Sequence, residues 1–184
     1  QPADGRIPSG ALLKAVLLNS TILTDSGVPE DRSGWGVANL PATLFFEGGP
    51  RRLVVRDIRH AEGLATGQNG VLAVNVQSDI EPLRVTLVWT EPPGGIGAAN
   101  SVVNDLDLEV TSPTGARLLG NVYQGGHSVE GGSADRVNNV EMVSVERPIP
   151  GEWTIRLAAI AVNVGTPGQG YAVVASGDLL PPTD

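Results

Sequence analysis

The chain has no cysteine, so it can form neither a disulfide framework nor a thiolate zinc site. Aromatic residues make up 4% of it, while glycine and proline number 24 and 14; many turns between short strands follow from that balance. Positive charge is also scarce: 12 Lys and Arg face 20 Asp and Glu, a formal net charge of −8. Phosphate recognition needs clustered Lys and Arg, so nucleic acid and anionic membranes are disfavoured as partners. Calcium, basic partners or plain solubility fit better. No apolar run is long enough to span a membrane, and the N-terminus carries no signal-peptide pattern. Recognisable catalytic loops are lacking too. The two histidines, His60 and His127, have no Gly-x-Ser-x-Gly elbow near them, and Gly94-Gly95-Ile96-Gly97 lacks the lysine and helix of a phosphate loop. His60 reads as a solvated turn residue and His127 as part of a flexible glycine-rich loop.

The 184 residues suffice for one sizeable core, or for one domain and part of another. The opening QPADGRIPSG, without an initiator Met, reads as a processed or excised piece. Pro8-Ser9 before GALLKAVLLNSTIL predicts a helix with Ser9 as its N-cap. Between Ala11 and Leu18 only Lys14 is polar, and a helix apolar nearly all round calls for burial on nearly all sides. The residues that follow offer strand patterns and no second helix. Such a helix either belongs to a larger body or plugs the end of a β-barrel. Asn19-Ser20-Thr21 matches a glycosylation sequon but lies inside the helix pattern, and reads as chance. Apolar material continues through Trp35, Val37, Leu40, Leu44, Phe45 and Phe46, and a boundary falls near Gly48-Gly49-Pro50.

From Arg51 the period changes to two. Leu53, Val55 and Asp57 share a face. Leu72, Val74 and Val76 mark a strand entered through an Asn69-Gly70 hairpin signal. Leu83, Val85, Leu87 and Trp89 alternate with Arg84, Thr86 and Val88. The stretch NDLDLEVTSPTG (104–115) places Asp105, Asp107 and Glu109 on one face and Leu106, Leu108 and Val110 on the other, closed by a Pro-Thr-Gly turn. Further strands are predicted at Val140–Val145, apolar on both faces, at Trp153–Ala159, and at Tyr171–Ala175. About eight short antiparallel strands separated by turns predict a mainly β fold, a jelly-roll sandwich or barrel over 49–178. The piece 179–184 is then a loose tail.

The acidic residues are clustered. Between Val85 and Val145 lie seven acids and two bases. Glu91 ends a strand, Asp105 and Asp107 begin one, and Asp135, Asn138, Asn139 and Glu141 lie where a glycine-rich loop enters another. If these ends are neighbours, oxygen donors from three segments converge on one end of the fold. Six to eight oxygens of mixed carboxylate and carbonyl type suit calcium, and the lack of His and Cys among them argues against zinc. Two other readings stay open: a solvated acidic face with turn-forming Asn and Asp, and a glycosidase-like carboxylate pair.

In succession, PSGALLKAVLLNST (8–21), SGWGVANL (33–40), LRVTLVWTEPPG (83–94), NDLDLEVTSPTG (104–115), GN (120–121), DRVNNVE (135–141), PGEWTIRLAAIAVNVG (150–165) and YAVVASG (171–177) resemble the C-terminal portion of a subtilisin-like serine protease that carries a β-barrel domain after its catalytic domain. The resemblance covers almost the whole chain. It implies that residues 1–48 close an α/β catalytic domain, the partner of the barrel, and that the Asp, His and Ser of the triad lie upstream, leaving no catalytic residue here. It further implies a secreted peptidase whose jelly roll binds calcium and stabilises the enzyme, meeting protein substrates only indirectly. Two positions depart from the pattern: Glu91 stands where the family has Asp, and Val37 where it has Arg after Gly-Trp-Gly. The reading from another class is a free-standing β-sandwich that binds a protein or glycan partner.

Overall fold

The structure, a computed structural model, describes residues 7–22, 34–42, 49–97 and 102–181. Leu44, Phe45 and Phe46 lie outside the described residues, as does the side chain of Leu40. Among the described residues one α-helix, α1 (Gly10–Asn19), precedes nine strands: β1 (Arg52–Ile58), β2 (Asn69–Val76), β3 (Leu83–Trp89), β4 (Asn104–Thr111), β5 (Arg117–Gln124), β6 (His127–Glu130), β7 (Val140–Val145), β8 (Gly151–Val162) and β9 (Tyr171–Gly177). They form two sheets, ordered β1-β9-β3-β7 and β2-β8-β4-β5-β6, with every pairing antiparallel. Without the short β6, the interleaving is that of an eight-stranded jelly roll. The sheets face each other as a sandwich and do not close into a barrel among the described residues.

The period-two patterns decide which side chains fill the space between the sheets. Leu83, Val85, Leu87 and Trp89 of β3, Leu106, Leu108 and Val110 of β4, Trp153, Ile155 and Leu157 of β8, and Tyr171, Val173 and Ala175 of β9 belong to one buried cluster. Each fully buried Val, Leu or Ile contributes about 1.5–3 kcal/mol relative to exposure, so this layer holds the sandwich without disulfides.

Two strands went unforeseen. RLLGNVYQ and HSVE form the β5–β6 hairpin around Gly125-Gly126, whose φ of 59° and 88° suit glycine. His127 therefore sits on a strand, 3.1 Å from Glu146. Asn69-Gly70 is not a hairpin turn; both residues lie within β2, paired to Ala158 and Leu157 of β8. Gly70 is needed because the Tyr171 hydroxyl lies 2.8 Å from where a Cβ would stand. The tail is held at its start: Leu179 is fully buried and bridges Val76, and the Asp178 carbonyl accepts from Gln77 N–H at 2.8 Å.

Helix α1 plugs no barrel end. It lies on the outer face of the four-stranded sheet, against β3 and β9. Ala11 and Ala15, with Leu12, Val16 and Leu18 partly buried, meet Val88, Val140, Ala172 and Val174. The small residues let the backbones approach closely. This outer layer explains why all seven residues of β9 are buried. Ser9 caps the helix start, accepting from Leu12 N–H at 3.0 Å, and its own N–H and Oγ donate to Asp57 at 2.9 and 2.5 Å. At the other end Asn19 is fully buried, its Nδ2 3.1 Å from Thr86 Oγ1 and 3.3 Å from the Arg84 and Val174 carbonyls. Arg84 returns the contact by donating to the Asn19 and Thr21 carbonyls, which satisfies the open end of the helix. Among the described residues the opposite side is exposed: Leu13 is 55% exposed and Leu17 46%, and the bridged Ile22 and Val37 are 58% and 63% exposed.

Candidate functional site

The alternation of β4 is as its sequence dictates: the leucines and Val110 point inward, and Asp105, Asp107 and Glu109 line the outer face. Those three carboxylates are not left to repel one another. Arg136, from the β6–β7 loop, reaches across to two of them. It pairs with both oxygens of Asp107, one through its Nη1 and the other at 3.1 Å from its Nη2, and with Asp105 at 3.3 Å. Glu109 pairs instead with Arg117 of β5. Burial pushes the Asp105 carboxyl above the usual range, with Arg136 pulling the other way and Asp107 and Asp135 adding to the rise.

Asp135 is held by nitrogen donors. Val137 N and Asn138 N lie 2.9 and 3.1 Å from its Oδ1, and the Asn138 and Asn121 side-chain amides each 2.7 Å from its Oδ2. Burial works against its charge, but these donors outweigh it and hold the carboxyl below the usual range. Asn138 thus braces Asp135.

Glu141 differs from the rest. It sits on β7 opposite Leu87 and points inward, 1% exposed. One oxygen accepts from Leu108 N–H at 2.7 Å; the other, Oε1, is buried with no hydrogen-bond partner among the described residues. Gly120 leaves space for the side chain, since a Cβ there would lie 2.7 Å from Glu141 Cβ. Burial, followed by the nearby Asp107, Asp135 and Asp105 charges, pushes its carboxyl up to about 9 against the single N–H bond.

Glu91 serves elsewhere. Its oxygens accept from Trp89 Nε1, from Val103 N at 2.9 Å and from Asn104 N at 3.2 Å, linking the end of β3 to the start of β4. Asn139 donates to the Trp89 carbonyl at 3.0 Å and takes a long contact, 3.5 Å, from Lys14 of α1. The three segments are therefore neighbours, as the sequence suggested, but their donors divide. Asp105, Asp107, Asp135 and Glu141 gather around Arg136 and Asn121, while Glu91 and Asn139 secure the Trp89 end. In this arrangement, among the described residues, no three His, Asp or Glu side chains are set to hold a metal ion.

Two residues that the ligand pattern overlooked do much of the organising. Arg136 is one. Asn121 is the other, with a left-handed φ of 61°. Its Oδ1 accepts from Met142 N at 3.0 Å and its Nδ2 donates to the Val140 carbonyl at 2.8 Å, replacing a strand partner on both sides of Glu141. Tyr123 Oη donates to the Met142 carbonyl at 2.8 Å and Ser128 Oγ accepts from Ser144 N at 2.9 Å, so side chains of β5 and β6 cover the open edge of β7. The signal for Asn121 was local: Asn is among the residues that tolerate a left-handed backbone.

Fold and site together define a jelly-roll sandwich with a helix on one face and an acidic, arginine-bridged cluster at one end. No family model matches the chain. It is similar to two Dictyostelium discoideum proteins named serine protease/ABC transporter B family protein. With tagA it is 25% identical over 175 residues, covering 91% of this chain and 10% of that protein. With tagD it is 26% identical over 220 residues, covering 93% of this chain and 12% of that protein. The chain thus spans about a tenth of the length of these curated relatives, and its link to serine-protease-related proteins is distant.

Proposed function

We propose that the chain is the non-catalytic C-terminal part of a secreted subtilisin-like serine endopeptidase, in which the sandwich steadies the catalytic body through α1 and takes a calcium ion at its acidic end. The observation that carries the reading is the two-sidedness of α1. One stripe is seated on β3 and β9, while Leu13 and Leu17 on the other stripe offer an apolar surface that a larger body would cover. The names of the distant relatives point the same way.

The residues fit calcium in donor type. Four carboxylates gather, a buried oxygen of Glu141 lacks a partner, and the Arg136 guanidinium already stands in for a cation between Asp105 and Asp107. No three of these side chains are set to hold an ion as they stand, so Asp105, Asp107, Asp135 and Glu141 would have to turn toward it to do so, with Glu91, Asn138 and Asn139 shaping the loops around them. The ion would supply positive charge and cross-link β4, β7 and the β6–β7 loop.

Thermal melting in calcium and in excess chelator tests this part. At a calcium concentration one hundred times Kd the native state gains about 2.7 kcal/mol, or roughly 5–10 °C for a chain of this size. Identical melting temperatures would refute the ion. The parent is tested by the reading frame that contains the chain: absence of an upstream Asp, His and Ser triad would refute it. The housing that β3 and β9 give the inner stripe of α1 favours a second reading, a free-standing sandwich that binds a protein or glycan. That reading requires a reading frame with no protease in it.

A further inference from the structure

The edge of a sheet carries unpaired N–H and C=O groups, and proteins guard such edges because other strands pair with them. Three of the four edges formed by the described residues are guarded. β6 is four residues long, and β7 is covered by side chains of Asn121, Tyr123 and Ser128. β1 carries Arg52 and Arg56 in the same alternation as Val54 and Ile58, which pack toward the core, so its charges guard the inner rim. The fourth edge, β2, reads NGVLAVNV, with neither charge nor proline.

The pairing pattern identifies the free groups of β2. In an antiparallel strand the N–H and C=O of one residue point to the same side, and that side alternates along the chain. Ala159 N donates to the Gln68 carbonyl, which sets even-numbered residues toward β8. Gln77 N donates to the Asp178 carbonyl and Leu180 N to the Asn75 carbonyl, both at 2.8 Å, which sets odd-numbered ones outward. The tail therefore lies on the outer edge as far as Asn75. Pro181 and Pro182 follow, and neither has an N–H to continue the pairing. Asn69, Val71 and Ala73 remain, and among the described residues their outward backbone groups have no backbone partner. All three are exposed, Val71 by 70%. At its start this stretch is bounded by a turn through Gly67, whose φ is 82°.

We propose that the outer edge of β2 docks a second copy of this chain, β2 against β2, antiparallel about a twofold axis at Val71. In that register Val71 faces its counterpart, and Asn69 of each copy faces Ala73 of the other. Three residues on each copy, each with one donor and one acceptor, make six backbone bonds and use every free group of the stretch. The stretch is uncharged and symmetric about its middle residue, which is what an isologous contact needs. Each copy has a net charge of −8, so the copies repel except where neither carries charge, and screening by salt should tighten the contact. The contact is small, so association is weak and reversible. This inference goes beyond the protease reading and does not depend on it.

Sedimentation equilibrium of the full chain between about 10 μM and 1 mM, at low and high salt, tests it, with amide exchange followed at the same concentrations. A monomer–dimer equilibrium that salt strengthens is expected, with exchange at Val71 and Ala73 slowing as concentration rises. Val71→Lys sets two ammonium groups side by side at the axis, and Ala73→Pro removes one outward N–H while sparing the bonds to β8. Each should weaken association about tenfold or more, with circular dichroism to check the fold. Leu13→Lys, on the exposed stripe of α1, should leave association unchanged. A chain that is monomeric throughout overturns the proposal and leaves the edge to an extended segment of another protein. A dimer that persists in both β2 variants, or that Leu13→Lys abolishes, overturns it as well, because the contact then lies elsewhere.

Discussion

Asn121 offers a direct test of how the open edge of β7 is held. Substituting Ala removes the Oδ1 acceptor from Met142 N and the Nδ2 donor from the Val140 carbonyl, and both of those residues are buried. Leaving a buried backbone group without a partner costs about 1–3 kcal/mol, so two such groups set the main loss at roughly 2–5 kcal/mol, some of it recovered by local relaxation or by water. Asp135 also loses one of its donors. The backbone adds a separate contribution, because φ at this position is 61° and a residue with a plain Cβ there costs about 1–2 kcal/mol more than Gly. Asn121→Gly should therefore lose the hydrogen bonds without the strain, and Asn121→Ala should be worse by about 1 kcal/mol. Urea denaturation at fixed pH, read as a shift in midpoint at unchanged slope, measures both. If Asn121→Gly comes within half a kcal/mol of the natural chain, side chains are not what satisfies the β7 edge. If Gly is the worse of the two, the left-handed backbone is not the constraint claimed.

The remaining predictions concern charge and helix packing. In chelator, Glu141 should make stability fall with rising pH: its folded value of about 9 lies above its ordinary 4.5, so the folded chain keeps a proton that the unfolded chain has released. The contribution is full below about pH 4.5 and is lost on the way to about pH 9, at no more than about 1.4 kcal/mol per pH unit. Glu141→Gln should flatten the melting temperature between pH 6 and 8; parallel curves would contradict this. Ala15→Leu, at a fully buried contact between α1 and β9, should destabilise by about 1–3 kcal/mol through overpacking, whereas Leu13→Ala, on the exposed stripe, should change the isolated chain by less than about 0.5 kcal/mol. Asn19→Ala breaks the clasp between helix end and sheet and should cost about 1–3 kcal/mol, with faster amide exchange across α1; unaltered exchange there would mean that apolar contact alone seats the helix.

Strand faces were legible wherever one side of a strand meets the core, because a period of two leaves one assignment for Leu106, Leu108 and Val110, and likewise for Trp153, Ile155 and Leu157. Helix α1 was legible as a helix, but its location was not. Its apolar residues do not say which stripe meets the sheet; the small side chains of Ala11, Ala15 and Ala172 decide that by allowing close approach. RLLGNVYQ was obscured by Gly120 and Asn121, which spoil its alternation: one makes room for Glu141 and the other turns its backbone to serve β7. Asn69-Gly70 misled for the opposite reason, since that glycine is demanded by the Tyr171 hydroxyl and not by a turn. For the acidic cluster, sequence gave the residue types and the neighbouring strand ends. It could not give the partner of each carboxylate, because Arg136 and Arg117 divide the row by reaching from loops and strands distant in the chain.

That division bears on how a change at the cluster would spread. In the four-stranded sheet β7 is an edge strand, bonded to β3 on one side only, and its other side meets Asn121, Tyr123 and Ser128 from the second sheet. Glu141 projects from the same strand to Leu108 N on β4. The seam between the two sheets at this corner is thus made of side-chain hydrogen bonds and one buried carboxyl, not of a backbone ladder. A ladder loses one rung when one residue changes. A seam of this kind loses several contacts at once, because Asn121 alone serves Val140, Met142 and Asp135. Charge placed on or taken from Asp105, Asp107 or Glu141 acts on that seam, so it should alter how firmly the sheets are held together and leave the packed layer of Leu, Val and Trp side chains between them largely unmoved.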